Sequence, residues 1–77
     1  MKPTVGRIVH YFVTDEEKTF LNNYQPVCPA IITAVWSDTC INIKVLYDGA
    51  NTNWKTSANQ KTETNNTNCW DWPVIEK

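Results

Sequence analysis

Residues 28–47, CPAIITAVWSDTCINIKVLY, decide the fold. Two runs rich in β-branched residues, 28–36 and 40–47, flank a polar segment of three residues, which has the length and composition of a short hairpin connection. The second run alternates, with Asn42 and Lys44 facing one way and the apolar positions facing the other. Those apolar positions are Ile41, Ile43, Val45 and Tyr47. The stretch therefore predicts two adjacent antiparallel strands with one apolar face.

Further strand-like segments lie on both sides of this hairpin. Residues 5–13, VGRIVHYFV, are rich in β-branched and aromatic side chains and predict the first strand. A short strand is expected at 54–57. Residues 69–74, CWDWPV, predict the last strand, with Trp70 and Trp72 on the same face and a proline closing it.

Two polar stretches separate these strands. Residues 14–29 open with Thr14 and Glu17 in the spacing of a helix capping box, but asparagines and prolines follow, so the prediction is a long loop with one helical turn. In residues 51–68, eleven of eighteen residues are Asn or Thr. Such a composition buries little surface, so a long flexible loop is expected between the short fourth strand and the last one.

Five short strands without a long helix predict an all-β fold. We expect a single β domain over residues 1–77, built as a small five-stranded SH3-like barrel or rolled sheet with one long Asn/Thr-rich loop, and an OB-like roll is the second choice. A chain of this length buries only about 60% of its unfolded surface, so its core is thin. Oligomerisation is one way to support such a core, and we expect a homo-oligomer.

Composition excludes several classes of protein. Three cysteines, Cys28, Cys40 and Cys69, and a single histidine are scattered without the spacing of a zinc site or of a disulfide framework. Seven basic and eight acidic residues give a net charge of -1, too little positive charge for us to expect nucleic acid as a main partner. No apolar leader or membrane-spanning run is evident, so a cytosolic protein without a membrane partner is expected.

His10 is the candidate general base, because its ordinary pKa lies near neutrality. It stands between Ile8 and Phe12 on the first strand, where a core or pocket histidine is commoner than a catalytic one. Asp48 and Asp71 could pair as acid and base, but they read more simply as a turn residue and a strand residue. We therefore expect that the protein is not an enzyme and uses no cofactor or metal. We expect His10 to contact a ligand.

Aromatic residues are the unusual feature of the chain. It has four tryptophans, Trp36, Trp54, Trp70 and Trp72. Indole rings are enriched in interfaces and pockets, and they stack on nucleobases, although some of these rings could simply fill the core. Tyr11 and Arg7 complete the predicted ligand contacts, since a planar guanidinium suits a phosphate or a carboxylate.

Five segments together resemble short proteins encoded by tailed bacteriophages and prophages. They are GRIVHY (6–11), PAIITAVW (29–36), INIKVLYDG (41–49), Trp54 with Ser57, and WDWP (70–73). The resemblance covers nearly the whole chain, and only the Asn/Thr-rich stretch departs from it. It implies a phage protein acting in the cytoplasm of the infected bacterial host. Small phage proteins without enzymatic features include families that sequester nucleotide immune signals.

The sequence and the resemblance together predict one of two functions. The first is a phage anti-defence protein that sequesters a nucleotide-derived immune signal without cleaving it, the signal being a cyclic ADP-ribose isomer, an ADP-ribose conjugate or a cyclic dinucleotide. The second is an SH3-like adaptor or inhibitor that binds a host or phage protein through an aromatic groove.

Overall fold

Five antiparallel strands and one short helix make up the part of the chain that the computed structural model describes, residues 2–20 and 25–73. In chain order they are β1 (Ile8–Phe12), α1 (Asp15–Phe20), β2 (Val27–Val35), β3 (Cys40–Leu46), β4 (Thr52–Asn59) and β5 (Cys69–Asp71). The predicted all-β fold with five strands and a central hairpin is confirmed.

The strands form a single curled sheet in the order β4-β3-β2-β1-β5. The two edges approach each other where Gln60, just after β4, bridges to Trp70 of β5 in parallel. The Lys61 backbone N–H donates to the Trp70 carbonyl at 2.7 Å. The sheet is therefore a half-closed barrel, which is the barrel-like or rolled form that the sequence predicts.

The concave side of the sheet, here called the inner face, carries the core. Its buried residues come from β1 to β5 and from the segments next to them. They are Val9, Tyr11, Val13, Cys28, Ala30, Ile32, Ile41, Ile43, Val45, Tyr47, Ala58 and Trp70. The opposite, convex side is called the outer face. On β1 it bears Ile8, which is exposed, and His10 and Phe12, which are half-buried, so only the inner face is fully covered.

Two irregularities flank Asn42 in the middle of the sheet. On β2, Ile32 pairs with Ile43 and Ala34 pairs with Asn42, so Thr33 is an extra residue. On β4, two residues, Thr56 and Ser57, lie opposite Asn42 alone. Such bulges shift the alternation of a strand by one residue. Beyond the bulge in β2, even-numbered residues therefore point to the outer face.

The lengths of three strands differ from the sequence prediction by more than one residue. β4 has eight residues rather than the four expected at 54–57, because an edge strand with one solvated face accommodates Asn and Thr while its backbone pairs with β3. β1 is shorter than 5–13, since Gly6, with φ of 94°, bends the chain before it. β5 is also shorter than 69–74, and residue 74 lies outside the described residues.

The predicted helix start is confirmed. The Glu17 backbone N–H donates to Thr14 Oγ1 at 3.1 Å, and the Thr14 backbone N–H donates to Glu17 Oε1 at 3.0 Å. This reciprocal pair is a capping box and satisfies two donors at the start of α1. The helix has six residues and reaches Phe20. Residues 21–24 of the predicted long loop lie outside the described residues.

Candidate functional site

Trp36 and Trp54 expose 64% and 54% of their surfaces to solvent. Trp36 follows directly after β2, and Trp54 lies in β4 opposite Lys44 of β3. Asn42 and Lys44 are successive outward positions of β3, about 7 Å apart along the strand. We call Trp36, Asn42, Lys44 and Trp54 the outer aromatic patch.

Hydrogen bonds at two points hold Trp36 in place. Its indole Nε1 donates to Asn42 Oδ1 at 2.9 Å, and its backbone N–H donates to the Cys40 carbonyl at 3.0 Å. An exposed side chain usually keeps much of its rotamer freedom, and this indole has lost part of it before any ligand arrives. The arrangement is therefore pre-organised for contact.

The patch continues across the sheet as a row of outward residues. Trp54 lies opposite Lys44, Lys44 opposite Ile31, and Ile31 opposite Ile8. Lys44 and Ile8 are exposed. Neighbouring apolar side chains on a solvated face mark interaction surfaces more often than isolated ones do. Here an ammonium group stands among aromatic and aliphatic side chains.

Such a surface can bind a flat, negatively charged molecule. Bases stack on indole faces with about 1 to 3 kcal/mol each by alanine substitution. The ammonium group of Lys44 is a compact charge with three donors, which suits a phosphate. Asn42 and Lys44 were not among the residues predicted as ligand contacts. The alternation of β3 places both on the outward side, and that pattern was the available signal.

Two of the predicted ligand contacts, Tyr11 and Trp70, are fully buried on the inner face and are part of the core. A ligand contact through either of them stays a prediction. Trp70 Nε1 donates to the Thr39 and Ala58 carbonyls, both at 3.1 Å. Trp70 is buried because it fills the space where the two edges of the sheet approach each other.

At one end of the half-barrel, Trp72 and Arg7 place an aromatic ring beside a guanidinium group. The Trp72 ring meets the Trp70 ring edge to face, with centroids 5.4 Å apart, and is half-buried against the core. The Arg7 guanidinium carbon lies 5.8 Å from the Trp72 ring centroid, within cation–π range. Arg7 is exposed, so both residues stay candidate contacts for a ligand at this end.

His10 lies on the outer face, directly opposite Asp71 of β5. Asp71 Oδ1 accepts from Gln60 Nε2 at 3.0 Å and from the Trp72 backbone N–H at 2.9 Å. The register thus brings a histidine and a carboxylate together, and two donors hold the carboxylate in place. His10 is well separated from Trp54, because β2 and β3 lie between their strands. It therefore does not belong to the outer aromatic patch.

Glu17 is the centre of a cluster of polar side chains. The sequence predicted only its capping role and not this cluster. Tyr11 Oη donates to Glu17 Oε1 at 2.7 Å, and the Tyr47 hydroxyl donates to Glu17 Oε2. Lys55 Nζ lies 3.3 Å from the same Oε2. Only 12% of the Glu17 side chain is exposed. The carboxylate therefore ties α1 to β1, to β4 and to the residue that follows β3.

These contacts shift the pKa values of the Glu17 carboxyl group and of the two tyrosine hydroxyls. Burial alone would raise the pKa of Glu17, but the bonds from Tyr47, Thr14 and Tyr11 and the charge of Lys55 outweigh it and lower that pKa to about 2. Burial and the bond to Glu17 raise the pKa of Tyr47 to about 12 and also raise the pKa of Tyr11. The cluster thus stays charged on the carboxylate and neutral on both phenols at ordinary pH.

A cavity of about 730 Å³ lies between the first turn of α1 and the β3–β4 edge. Its lining residues are Asp15, Glu16, Glu17, Thr19, Tyr47, Asn53 and Lys55. Three carboxylates face a single ammonium group there, so the local charge disfavours a phosphate. A negatively charged ligand is accommodated better at the outer aromatic patch than in this cavity.

Within residues 2–20 and 25–73, no group of three or more His, Cys, Asp and Glu side chains is arranged to hold a metal ion. None of the three cysteines, all of which lie in the described ranges, forms a disulfide, and burial raises the pKa of Cys69. None of the described residues belongs to a helix with the length and hydropathy needed to cross a membrane. Comparison with protein-family models, with curated proteins and with solved structures finds no match to this chain. The resemblance to phage proteins stays a prediction.

Proposed function

We propose that this protein binds a nucleotide-derived signal molecule on the outer aromatic patch and holds it without cleaving it. A cyclic ADP-ribose isomer, an ADP-ribose conjugate or a cyclic dinucleotide would each supply flat rings and phosphates. In an infected bacterial host, such a protein would act in the cytoplasm against nucleotide-based immunity, by sequestering the signal in competition with its receptor.

The proposal rests on the exposure of Trp36 together with the hydrogen bond that restrains its ring. Trp36 is largely exposed and is nevertheless held by a hydrogen bond from its indole nitrogen to a buried amide. A ring that only filled a core would be covered, and a ring without a role would be unrestrained. On the same face, Lys44 of β3 and Trp54 opposite it on β4 supply a positive charge and a second ring.

In this proposal, the two rings stack on bases and Lys44 contacts a phosphate. Arg7 is a further phosphate contact for a ligand large enough to reach the end of the half-barrel. A homo-oligomer would carry more than one copy of the outer aromatic patch, and its subunit contacts would bury additional surface next to the thin core. Native mass spectrometry of the purified protein, alone and with the signal panel, measures both the number of subunits and the mass of any retained molecule.

Replacing Trp36 or Trp54 by alanine is expected to weaken signal binding by about 5- to 150-fold, which corresponds to about 1 to 3 kcal/mol per stacked base. The fold should remain, because both side chains lie on the outer face. Titration calorimetry with the retained signal molecule measures the loss, and urea unfolding checks stability. Val5→Ala is the matched control, since Val5 is 67% exposed and lies outside the patch. Wild-type affinity in both tryptophan variants would contradict the proposal.

The alternative is an adaptor or inhibitor that binds a host or phage protein. The row of outward residues favours it, because Ile31 and Ile8 extend the patch into a broad surface with aliphatic character. A polypeptide partner would use this breadth, whereas a nucleotide would not. Affinity capture from lysate with wild type and with Ile8→Ala separates the two functions. Loss of a captured polypeptide in Ile8→Ala, without retention of any nucleotide, would favour the adaptor.

A further inference from the structure

Asn42 is the only buried polar or charged residue in the described parts of the chain, with 7% of its surface exposed. It occupies an outward position between Ile41 and Ile43, both of which point into the core. An outward residue of a solvated face is normally exposed. Asn42 is covered because the bulged β4 segment and Trp36 close around its side chain.

Three donors converge on its amide oxygen. Trp36 Nε1 donates to Oδ1 at 2.9 Å, the Ser57 backbone N–H donates at 2.8 Å, and Thr56 Oγ1 lies at 3.2 Å. An indole N–H and a backbone N–H can only donate. The amide is therefore oriented with its oxygen towards them, and the alternative flipped orientation is excluded by chemistry.

The same oxygen replaces a bond that the sheet loses at this point. Thr56 and Ser57 lie opposite Asn42 alone, and Ser57 has a φ of 54°, in the left-handed region. A bulge leaves an extra residue without its ladder partner. The side chain of Asn42 accepts the Ser57 N–H in place of a backbone carbonyl, so one atom joins the bulge of the edge strand to the exposed indole.

The hydrogen bond to Asn42 limits the contacts that the Trp36 ring can make with a ligand. Its single polar hydrogen is already used within the protein, so the ring offers flat aromatic faces and no hydrogen-bond donor. Stacking accepts any base because every base has a π-face, whereas hydrogen bonds to a base edge discriminate between bases.

We infer that Asn42 is a positioning residue that fixes Trp36 as a rigid stacking platform, and that Trp36 consequently recognises flat, anionic ring compounds without reading the edge of the base. The inference deepens the proposed function and rests on it for the ligand class. The positioning step concerns the protein alone and can be tested without a ligand.

The first measurement is hydrogen exchange at the Trp36 indole N–H, followed by NMR on the ligand-free protein. Asn42→Ala is expected to raise the exchange rate at least tenfold. Thr56→Val is the matched control, because it removes the longest of the three contacts to the same oxygen and leaves the Trp36 bond intact. If Asn42→Ala does not fold, Asn42→Ser keeps a polar but shorter group and takes its place. An unchanged exchange rate in the asparagine variant would overturn the inference.

The second measurement compares AMP with IMP as probes, since they share ribose and phosphate and differ at the base edge. We expect Kd values within about threefold for wild type, and a loss of at least fivefold for both probes in Asn42→Ala but not in Thr56→Val. A difference above tenfold between the Kd values of AMP and IMP would overturn the inference that Trp36 does not read the edge of the base. If neither probe nor any signal molecule binds, the proposed function fails, and the exchange rates still decide whether Asn42 positions Trp36.

Discussion

Replacing Trp70 by alanine is expected to destabilise the protein by about 3 to 5 kcal/mol, the range for removing a large buried aromatic side chain. Trp70 is fully buried, pairs with Tyr11 across β1 and β5, and donates its indole N–H to two carbonyls, one after β2 and one in β4. A domain of this size has a free energy of unfolding of only about 4 to 12 kcal/mol. The variant should therefore unfold near room temperature or lose most of its cooperative transition.

Urea unfolding followed by circular dichroism measures this effect. Trp70→Phe should be milder than Trp70→Ala, because it keeps most of the buried volume and loses only the indole hydrogen bonds. Trp72→Ala is the neighbouring control, since that ring is half-buried and packs against the edge of Trp70. Equal stability of Trp70→Ala and Trp72→Ala would show that Trp70 does not hold the edges of the sheet together.

Replacing Glu17 by glutamine is expected to destabilise the protein by about 2 to 3 kcal/mol at pH 7. Both tyrosine hydroxyls donate to the carboxylate, and Lys55 neutralises it. Glutamine offers one oxygen in place of two and turns an N–H₂ group towards one of the hydroxyls, so a buried phenol loses its acceptor. Glu16→Gln is the matched control, because Glu16 is exposed on the same helix.

The Glu17 contribution should also depend on pH in a defined direction. Its pKa falls from 4.5 in the unfolded chain to about 2 in the folded protein. The stabilisation is therefore complete above about pH 5 and is lost as the pH drops from 4.5 towards 2, with an upper limit of about 3 kcal/mol. Urea unfolding at pH 7, 4.5 and 2.5 should show the gap between wild type and Glu17→Gln closing. A gap that stays constant would contradict the role of the charged carboxylate.

The four tryptophans divide into two kinds of environment. Trp70 is enclosed and Trp72 leans on it, whereas Trp36 and Trp54 face solvent on the outer face. The proposed binding role therefore falls on Trp36 and Trp54, and the stability of the half-barrel depends chiefly on Trp70.

Local sequence patterns were sufficient for several parts of the structure. The alternation of residues 40–47 predicted which side chains of β3 enter the core, because adjacent residues of a strand point to opposite faces. The three-residue connection predicted the hairpin. Thr14 and Glu17 predicted the helix start, since a capping box needs only two residues at a fixed spacing. Each of these features depends on residues close together in the chain.

Long-range pairing decided the rest. Simple alternation from Ile32 would send Trp36 into the core, and the bulge at Thr33, which depends on the register with β3, turns it to the outer face. The polar residues of β4 form a long strand because they pair with β3. Glu17 becomes the centre of a cluster because β1, the end of β3 and β4 bring the side chains around it together; these are Tyr11, Tyr47, which follows β3, and Lys55. The sequence by itself determined the strand pattern, and the tertiary structure alone decided which aromatic side chains are buried and which are exposed, because a register shift of one residue reverses the direction of every side chain after it.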